Sequence, residues 1–335
     1  MQDWIDFLTT QKTLPLQHNN AFCALTETGL LYVGGDDAKE FLQNQLSNDI
    51  DKISEHLAQF SSISSAKGRM FGIFRVIQID GGYILVMPKS ILESIQQRLQ
   101  KFIVRSQVVL ADISDSFSGI SITTDNIELI QQLNLTAQTD GEGVHSVVQT
   151  ENQITLKVHA AKGRSRYMIF NNDAKQLMDL WQRVSPILTL NAPSHFRLQE
   201  IEAGIPSVFP ETSEAFVLQM SNLHLLDGVS FKKGCYPGQE VVARMKYLGK
   251  LKRRMYLASV SGMPCPSAGD DLTTKGSDRA DGSGKVVDAV QLTETETMML
   301  FVAKIEPTEA NELVLFKHPE QAFSLTPLPY PYDEQ

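Results

Sequence analysis

Residues 231–247 read FKKGCYPGQEVVARMKY, and this stretch organises the chain around a cysteine in a basic turn. Pro237 has a fixed φ and no N–H donor, which suits the first position of a helix, and good helix formers follow it. Cys235 is therefore predicted to lie just before a helix N-terminus. The unpaired amides and the helix dipole at that place favour an anion, so a partly ionised thiolate is expected there.

Charged residues on both sides of Cys235 strengthen this interpretation. Lys233, with Lys232 and Arg244, should lower the thiol pKa below its reference value of about 8.5. Glu240 follows about one helical turn later, with three open roles: accepting a proton, anchoring a lysine or binding a first-turn amide. A lone cysteine is more often a small buried residue, but this polar, tightly turned setting favours a functional thiol.

The motif Lys-Gly-Cys-Tyr-x-Gly-Gln-Glu resembles the signature of the YgfZ family, folate-binding proteins similar to the T-protein (aminomethyltransferase) of the glycine cleavage system. The resemblance extends to residues 216–245, to IEAGIP at 201–206 and to LTPLPY at 325–330. It implies that Cys235 is the working residue, as a redox thiol or a transient iron ligand, together with Lys233 and Glu240. Residues of the same motif are expected to shape and position it: Lys232, Gly234, Tyr236, Gly238, Gln239 and Arg244.

Composition limits the protein class. The chain has 335 residues, of which 42% are hydrophobic, which suits two or three packed domains. No stretch is apolar enough to span a bilayer, and the acidic N-terminus does not resemble a signal peptide, so the sequence predicts a cytoplasmic protein without a membrane partner. The three cysteines, Cys23, Cys235 and Cys265, form no CxxC pair. A self-contained metal or iron–sulfur site is therefore not expected.

Charge is distributed unevenly along the chain. The net charge is −9, which argues against a protein that coats nucleic acid generally. Residues 232–254 nevertheless contain eight basic residues and one acid, a charge of +7, so the rest of the chain carries −16. This segment is either a patch that attracts a polyanion, such as RNA phosphates or a polyglutamyl tail, or a solvated charged turn.

The pattern of helices and strands predicts an α+β fold. Segments with helical period alternate with β-like segments without strict βαβ order up to residue 250, and short β-like segments separated by turns follow. The resemblance implies a T-protein-like architecture: two α+β (ferredoxin-like) parts that exchange segments, and a C-terminal antiparallel β-barrel, around a central channel. The predicted domains are 1–117 (folate-binding), 118–250 (carrying the motif) and 251–335 (the barrel).

Several local features are predicted within this framework. Residues 70–79 and 83–87 form a hairpin, and Ser90 and Glu93 have the spacing of a capping box before a helix. Another helix ends at Gly204, ahead of Pro206. The barrel strands are predicted at 255–260, 284–292, 297–305, 312–316 and 323–327.

The resemblance also implies a reduced folate, tetrahydrofolate or a derivative, held by aromatic and acidic side chains. Phe196 and Thr28 stand where the bacterial family member has tryptophans, so Phe196 keeps a stacking face and Thr28 does not. The candidate folate residues are Phe196, Glu202, Thr28, Tyr32 and Asp49.

Aminomethyltransferases carry an acidic pair after the glycine turn that matches Lys67-Gly68-Arg69, where this chain has Phe71 and Gly72. Loss of a positioned carboxylate removes a general acid/base contribution of roughly 10²–10⁴-fold. The sequence therefore disfavours a stand-alone aminomethyltransferase.

The resulting hypothesis is a folate-binding accessory protein that supports maintenance or repair of iron–sulfur proteins, and through them tRNA modification. Its expected partners are iron–sulfur enzymes such as tRNA methylthiotransferases, with any iron–sulfur cluster held transiently or together with a partner. Two alternatives stay open: a folate-dependent one-carbon (aminomethyl) transferase, and a module that binds tRNA directly through residues 246–254.

Overall fold

The computed structural model describes residues 2–14, 16, 20–135, 143–161, 163–262 and 264–332. Its helices and strands confirm the α+β class. The helices are α1 (Gln2–Thr9), α2 (Ala38–Gln45), α3 (Lys89–Gln100), α4 (Ile127–Gln132), α5 (Ala174–Val184), α6 (Ser194–Glu202), α7 (Gln239–Tyr247) and α8 (Ile305–Glu309). The strands are β1 (Ala21–Ala24), β2 (Thr28–Gly34), β3 (Gln59–Ser64), β4 (Met70–Ile79), β5 (Gly82–Pro88), β6 (Val109–Asp112), β7 (Ser118–Thr124), β8 (Val147–Gln149), β9 (Gln153–Val158), β10 (Ser165–Asn171), β11 (Thr189–Leu190), β12 (Arg253–Ser261), β13 (Asp271–Thr274), β14 (Gly284–Gln291), β15 (Glu296–Lys304), β16 (Leu313–Leu315) and β17 (Phe323–Thr326).

The chain divides into two compact units. The first unit comprises Met1–Leu42, Ile50–Gln59 and Phe74–Gln199, and the second unit comprises Gln43–Asp49, Phe60–Ile73 and Glu200–Gln335. Strands β3 and β4 and helices α2 and α6 each contribute residues to both units. The three-part division at residues 117 and 250 remains a prediction.

In the first unit, a six-stranded sheet has the order β11-β1-β7-β10-β9-β8 and is antiparallel except where β11 meets β1. Helices α1, α4 and α5 cover one of its faces around the buried Trp4 and Trp181. Helix α5 buries Leu177, Leu180 and Trp181, and Asp173 caps it by accepting from the backbone N–H groups of its first turn. This three-and-four spacing of apolar residues after an N-cap is why the segment forms an amphipathic helix.

A second sheet, of order β3-β4-β5-β2-β6, contains the predicted hairpin as β4 and β5. Side chains from this hairpin share an apolar core with strands of the six-stranded sheet. The predicted capping box at Ser90 and Glu93 is wrong, because α3 begins at Lys89 with Pro88 as its N-cap and without a side-chain cap. Strands β1 and β2 are adjacent in sequence but belong to different sheets.

In the second unit, an antiparallel six-stranded sheet has the order β16-β13-β14-β15-β12-β17 and encloses an apolar core around Tyr256 and Phe301. The five predicted barrel strands are present, and β13 is an additional one. Helix α6 ends as predicted, with Gly204 at a φ of 67°. Tyr330 donates to the Gly204 carbonyl oxygen at 2.7 Å, so the C-terminal LTPLPY segment packs on this turn. In the part of the chain that the structure describes, every helix is too short or too polar to cross a membrane.

Candidate functional site

Helix α7 carries the second half of the motif and begins two residues later than predicted. Pro237 and Gly238 form a turn, and Gly238 is the N-cap with a φ of 84°. A Cβ atom on Gly238 would lie 2.6 Å from the Ser65 carbonyl oxygen and 2.7 Å from the Gly68 Cα. Glycine is therefore required here both for the left-handed conformation and for close backbone packing. The prediction of Pro237 as the first helical residue is wrong because this left-handed turn precedes the helix.

Lys233 anchors the start of the motif loop, which we define as residues 231–238. Its ammonium donates to the carbonyl oxygens of Gln43, Leu46 and Asn48 at 2.6, 2.7 and 2.8 Å. An ammonium has three N–H donors, and hydrogen bonds from a charged donor are stronger than neutral ones. The sequence predicted that Lys233 acts on the neighbouring thiol, which remains a prediction; the observed contacts hold the loop against residues 43–49 of the same unit.

Tyr236 anchors the other side of the cysteine. Its side chain is 7% exposed, and burial raises the pKa of its phenol to about 12. The Lys233 ammonium lies 5.4 Å from the centre of its ring, so the two anchors contact each other through a cation–π interaction.

Cys235 lies between these two anchors and is exposed. Gly234 beside it is also exposed, and a Cβ atom there would meet nothing within 4 Å. The loop thus holds its backbone through residues 233 and 236 and leaves the sulfur accessible from solvent, the arrangement that a reactive thiol or a metal-ligand thiol requires.

The other motif residues have different surroundings. The Gln239 amide donates towards the carbonyl oxygens of Lys233 and Gly234 at 3.5 and 3.4 Å, which closes the loop onto the helix. Lys232, Glu240 and Arg244 are exposed.

The other two cysteines are less accessible. Cys23 is fully buried in β1, and desolvation raises the pKa of its thiol to about 12. Cys265 is half-buried in the second unit. Throughout the described ranges, no group of three or more His, Cys, Asp or Glu residues is arranged to hold a metal ion.

The basic segment around the motif contains two kinds of cation. Arg254 pairs with Glu309 and lies 3.9 Å from the centre of the Tyr332 ring, so it contributes to packing of the C-terminal sheet. Lys246, Lys250 and Lys252 are exposed, although the Lys246 ammonium lies 4.5 Å from the centre of the Phe231 ring.

The folate candidates of the first unit are Thr28, Tyr32 and Phe196. Thr28 lines a cavity of about 180 Å³, and Tyr32 and Phe196 do not line it. The Tyr32 hydroxyl donates to the Gly81 carbonyl oxygen at 2.9 Å. The Arg166 guanidinium lies over the Phe196 ring, 5.5 Å from its centre. The residues expected to hold a pterin in this unit are therefore not gathered around that cavity, and their folate role remains a prediction.

The folate candidates of the second unit are Asp49 and Glu202. The Asp49 carboxylate accepts a hydrogen bond from the Gln43 side chain at 2.8 Å, and its main chain follows one of the carbonyls that bind Lys233. Glu202 is 3% exposed in the last turn of α6. Asp49 thus lies in the segment that holds the motif loop, a proximity that the sequence did not predict.

The position of the aminomethyltransferase acidic pair lies at the start of β4. Phe71 and Gly72 occupy it, and Phe71 is 8% exposed. An apolar ring and a glycine supply no carboxylate for acid/base chemistry at this position.

The parts of the site that sequence reasoning missed are backbone groups. Carbonyl oxygens within residues 43–48, up to 190 positions away in sequence, accept hydrogen bonds from Lys233. The backbone of Gly238 packs against the Ser65–Gly68 turn. Carbonyl oxygens are common to all residues, so no side-chain pattern marks these contacts.

The fold agrees with that of a known protein. The solved structure of glycine cleavage system aminomethyltransferase T from Bartonella henselae superimposes with a TM-score of 0.69 over 93% of this chain and 87% of that chain, at 12% sequence identity. The fold is therefore that of the aminomethyltransferase T class, as the sequence predicted.

Relatives define the family within that class. The tRNA-modifying protein YgfZ of Photorhabdus laumondii is 30% identical over 333 residues, which cover 98% of this chain and 97% of the relative. The protein of the same name from Colwellia psychrerythraea is 31% identical over 271 residues, or 80% of this chain and 81% of the relative. The chain belongs to the family of the tRNA-modifying protein YgfZ. No family model matches the chain.

Proposed function

We propose that this protein is a folate-binding accessory factor that maintains or repairs iron–sulfur proteins and thereby supports tRNA modification, in particular methylthiolation. The observation that carries the proposal is the accessible sulfur of Cys235, held between the hydrogen-bonded Lys233 and the buried Tyr236. The name of the relatives supports a role in tRNA modification.

The chemistry follows from the setting of the thiol. An exposed thiolate is both a nucleophile in thiol–disulfide exchange and a ligand for iron. A single cysteine does not complete an iron or cluster site, which takes four ligands in most proteins. The client protein would therefore supply the remaining ligands, and iron is cargo in this proposal.

Gly238 and Gln239 position the motif loop rather than the reacting atom. Gly238 fixes the direction in which α7 leaves the loop, and Gln239 closes the loop on its own carbonyls. Glu240 and Arg244, exposed on α7, are the proposed contacts to a client protein, because charged groups at an interface steer association and fix register.

Replacement of the thiol tests this proposal. In cells that depend on this protein, Cys235→Ala should lower the fraction of methylthiolated tRNA and the activity of iron–sulfur enzymes. Cys265→Ala is the matched control, because it removes a half-buried cysteine of the same unit and should leave both readouts unchanged. Normal methylthiolation with a folded Cys235→Ala protein would contradict the proposal.

Folate binding is the part of the proposal that rests on the fold class. No step of the proposed chemistry passes through a folate, since the candidate pterin residues Phe196 and Tyr32 do not share the cavity that Thr28 lines. Calorimetric titration with tetrahydrofolate measures this part separately. Turnover with tetrahydrofolate and an amine donor would instead support the aminomethyltransferase alternative, which Phe71 and Gly72 disfavour.

Direct tRNA binding is a second candidate because Lys246, Lys250 and Lys252 are exposed on one short segment. Such binding would weaken with salt, and its salt dependence would decrease when these charges are removed.

A further inference from the structure

A second polar cavity lies within the second unit, at the C-terminal sheet. It has a volume of about 230 Å³, which liquid water would fill with about eight molecules. Its charged lining consists of Arg69, Arg253, Lys285 and Asp271, and Phe216 and Met220 contribute apolar wall.

The charges of this cavity are not balanced. Lys285 and Asp271 neutralise each other in an ion pair of 2.7 Å. Two guanidinium groups remain, and the salt bridges among the described residues include neither of them. The cavity therefore carries positive charge that the lining side chains do not compensate.

The two guanidinium groups also repel each other. Burial lowers the pKa of Arg253, and the positive charge of Arg69 lowers it further, while Asp281 opposes this effect. The Asp281 carboxylate does not line the cavity, and it accepts hydrogen bonds from the Thr274 hydroxyl at 2.7 Å and the Ser283 N–H at 2.8 Å. Two half-buried arginines that line one cavity and repel each other carry an energetic cost, which a bound anion would reduce.

Each guanidinium keeps donors for a ligand. Arg69 donates to the Ala215 carbonyl oxygen, and Arg253 donates to the Ser283 carbonyl oxygen at 3.3 Å. A guanidinium has five N–H donors in a fork that matches the oxygens of phosphate or carboxylate.

The backbone holds both arginines in place. Arg69 pairs with Val217 in a β-bridge, and Arg253 pairs with Lys304 at the start of β12. Donors that are fixed before the ligand arrives lose little entropy on binding, so the two arginines are preorganised.

We infer that this cavity binds the oxyanion group of a small ligand, a phosphate ester or a carboxylate, between Arg69 and Arg253. Phe216 and Met220 would contact the apolar body of that ligand. The site is independent of Cys235 chemistry and goes beyond the proposed function. A small ligand fits the observations better than an RNA strand, because the anion would enter a cavity with an apolar wall rather than an open charged surface.

Calorimetry on the full chain tests the inference. Inorganic phosphate, pyrophosphate and tri-γ-glutamate are titrated separately at matched ionic strength in chloride, so that the phosphate and carboxylate sources are distinguished. At least one of them should bind, and Arg253→Gln should weaken its Kd at least about tenfold, the effect of losing a charge-assisted hydrogen bond. Arg279→Gln is the matched control, since it makes the same exchange at an exposed arginine of the same unit that does not line the cavity, and it should leave Kd unchanged.

The unfolding transition of each variant, measured in chloride, shows whether the variant is folded. Arg69→Lys is a second variant, which keeps the positive charge but loses the forked guanidinium. It should bind more weakly than the wild type and more tightly than Arg253→Gln. Absence of binding by all three anions, or equal affinity in the wild type and folded Arg253→Gln, would overturn the inference. A fourth titration uses tRNA; if tRNA alone binds and Arg253→Gln loses that binding, the inference is overturned in favour of an RNA contact.

Discussion

Strand β1 and the motif loop each contain one cysteine, and the two cysteines differ in their exposure to solvent. In β1, Cys23 is fully buried and pairs in register with Ser121 of β7. In the motif loop, Cys235 is exposed while its neighbours Lys233 and Tyr236 are fixed. The backbone around each thiol therefore decides whether the sulfur is buried or accessible.

Thiol reactivity should separate the two regions most strongly. With a pKa of about 12, Cys23 is ionised to about one part in 10⁵ at pH 7 and has no access to reagent, so native alkylation should modify Cys235 and leave Cys23 intact. Mass spectrometry of iodoacetamide-treated protein measures this. Cys23 should become reactive only in denaturant.

The raised pKa of Cys23 also gives the sign of a pH effect. A thiol whose folded pKa lies above its unfolded value binds more protons in the folded state over that interval. Its contribution to stability is therefore complete below the unfolded pKa of about 8.5 and decreases as pH rises towards about 12. Cys23→Ala should flatten that part of the stability curve, measured by urea unfolding at a series of pH values. Alkylation of Cys23 in the native protein would show that this thiol is accessible and would contradict both predictions for Cys23.

The two glycines of the motif loop also differ in their surroundings, because the backbone requires glycine at position 238 and does not require it at position 234. Gly238→Ala forces a Cβ atom to within 2.6 Å of a carbonyl oxygen and places alanine at a φ of 84°, so it should cost about 2–4 kcal/mol of stability.

Gly234→Ala is the matched control, because its Cβ atom would meet nothing within 4 Å, and it should change stability by less than about 0.5 kcal/mol. Urea unfolding followed by circular dichroism measures both. Equal stabilities of the two variants would mean that the Gly238 turn does not define the loop.

Some elements of the fold could be predicted from residue type, whereas others depend on pairing between segments that are distant in sequence. The pattern of Leu177, Leu180 and Trp181 predicts an amphipathic helix because local periodicity determines which face is buried. The polar sequence of β13 gives no such signal, since its strand identity comes from pairing with β14 and β16.

At the candidate site, the residue types around Cys235 predicted an exposed, turned loop, and the structure has one. The contacts of Lys233 could not be predicted, because its partners are main-chain carbonyls remote in sequence. The start of α7 was misplaced because proline suits both a turn and a first helical position, and only the left-handed φ of Gly238 distinguishes them.

Loss of the Lys233 anchor should have the smallest of the effects predicted here. Lys233→Met keeps most of the aliphatic stem but loses the hydrogen bonds to Gln43, Leu46 and Asn48, so it should destabilise the second unit by about 2 kcal/mol. Lys232→Met is the control, because Lys232 is adjacent and exposed. Hydrogen exchange of residues 231–238 should accelerate only in Lys233→Met, with exchange in β1 around Cys23 unchanged. If both variants exchange alike, Tyr236 and Gly238 suffice to hold the loop, and the accessibility of Cys235 does not depend on the lysine beside it.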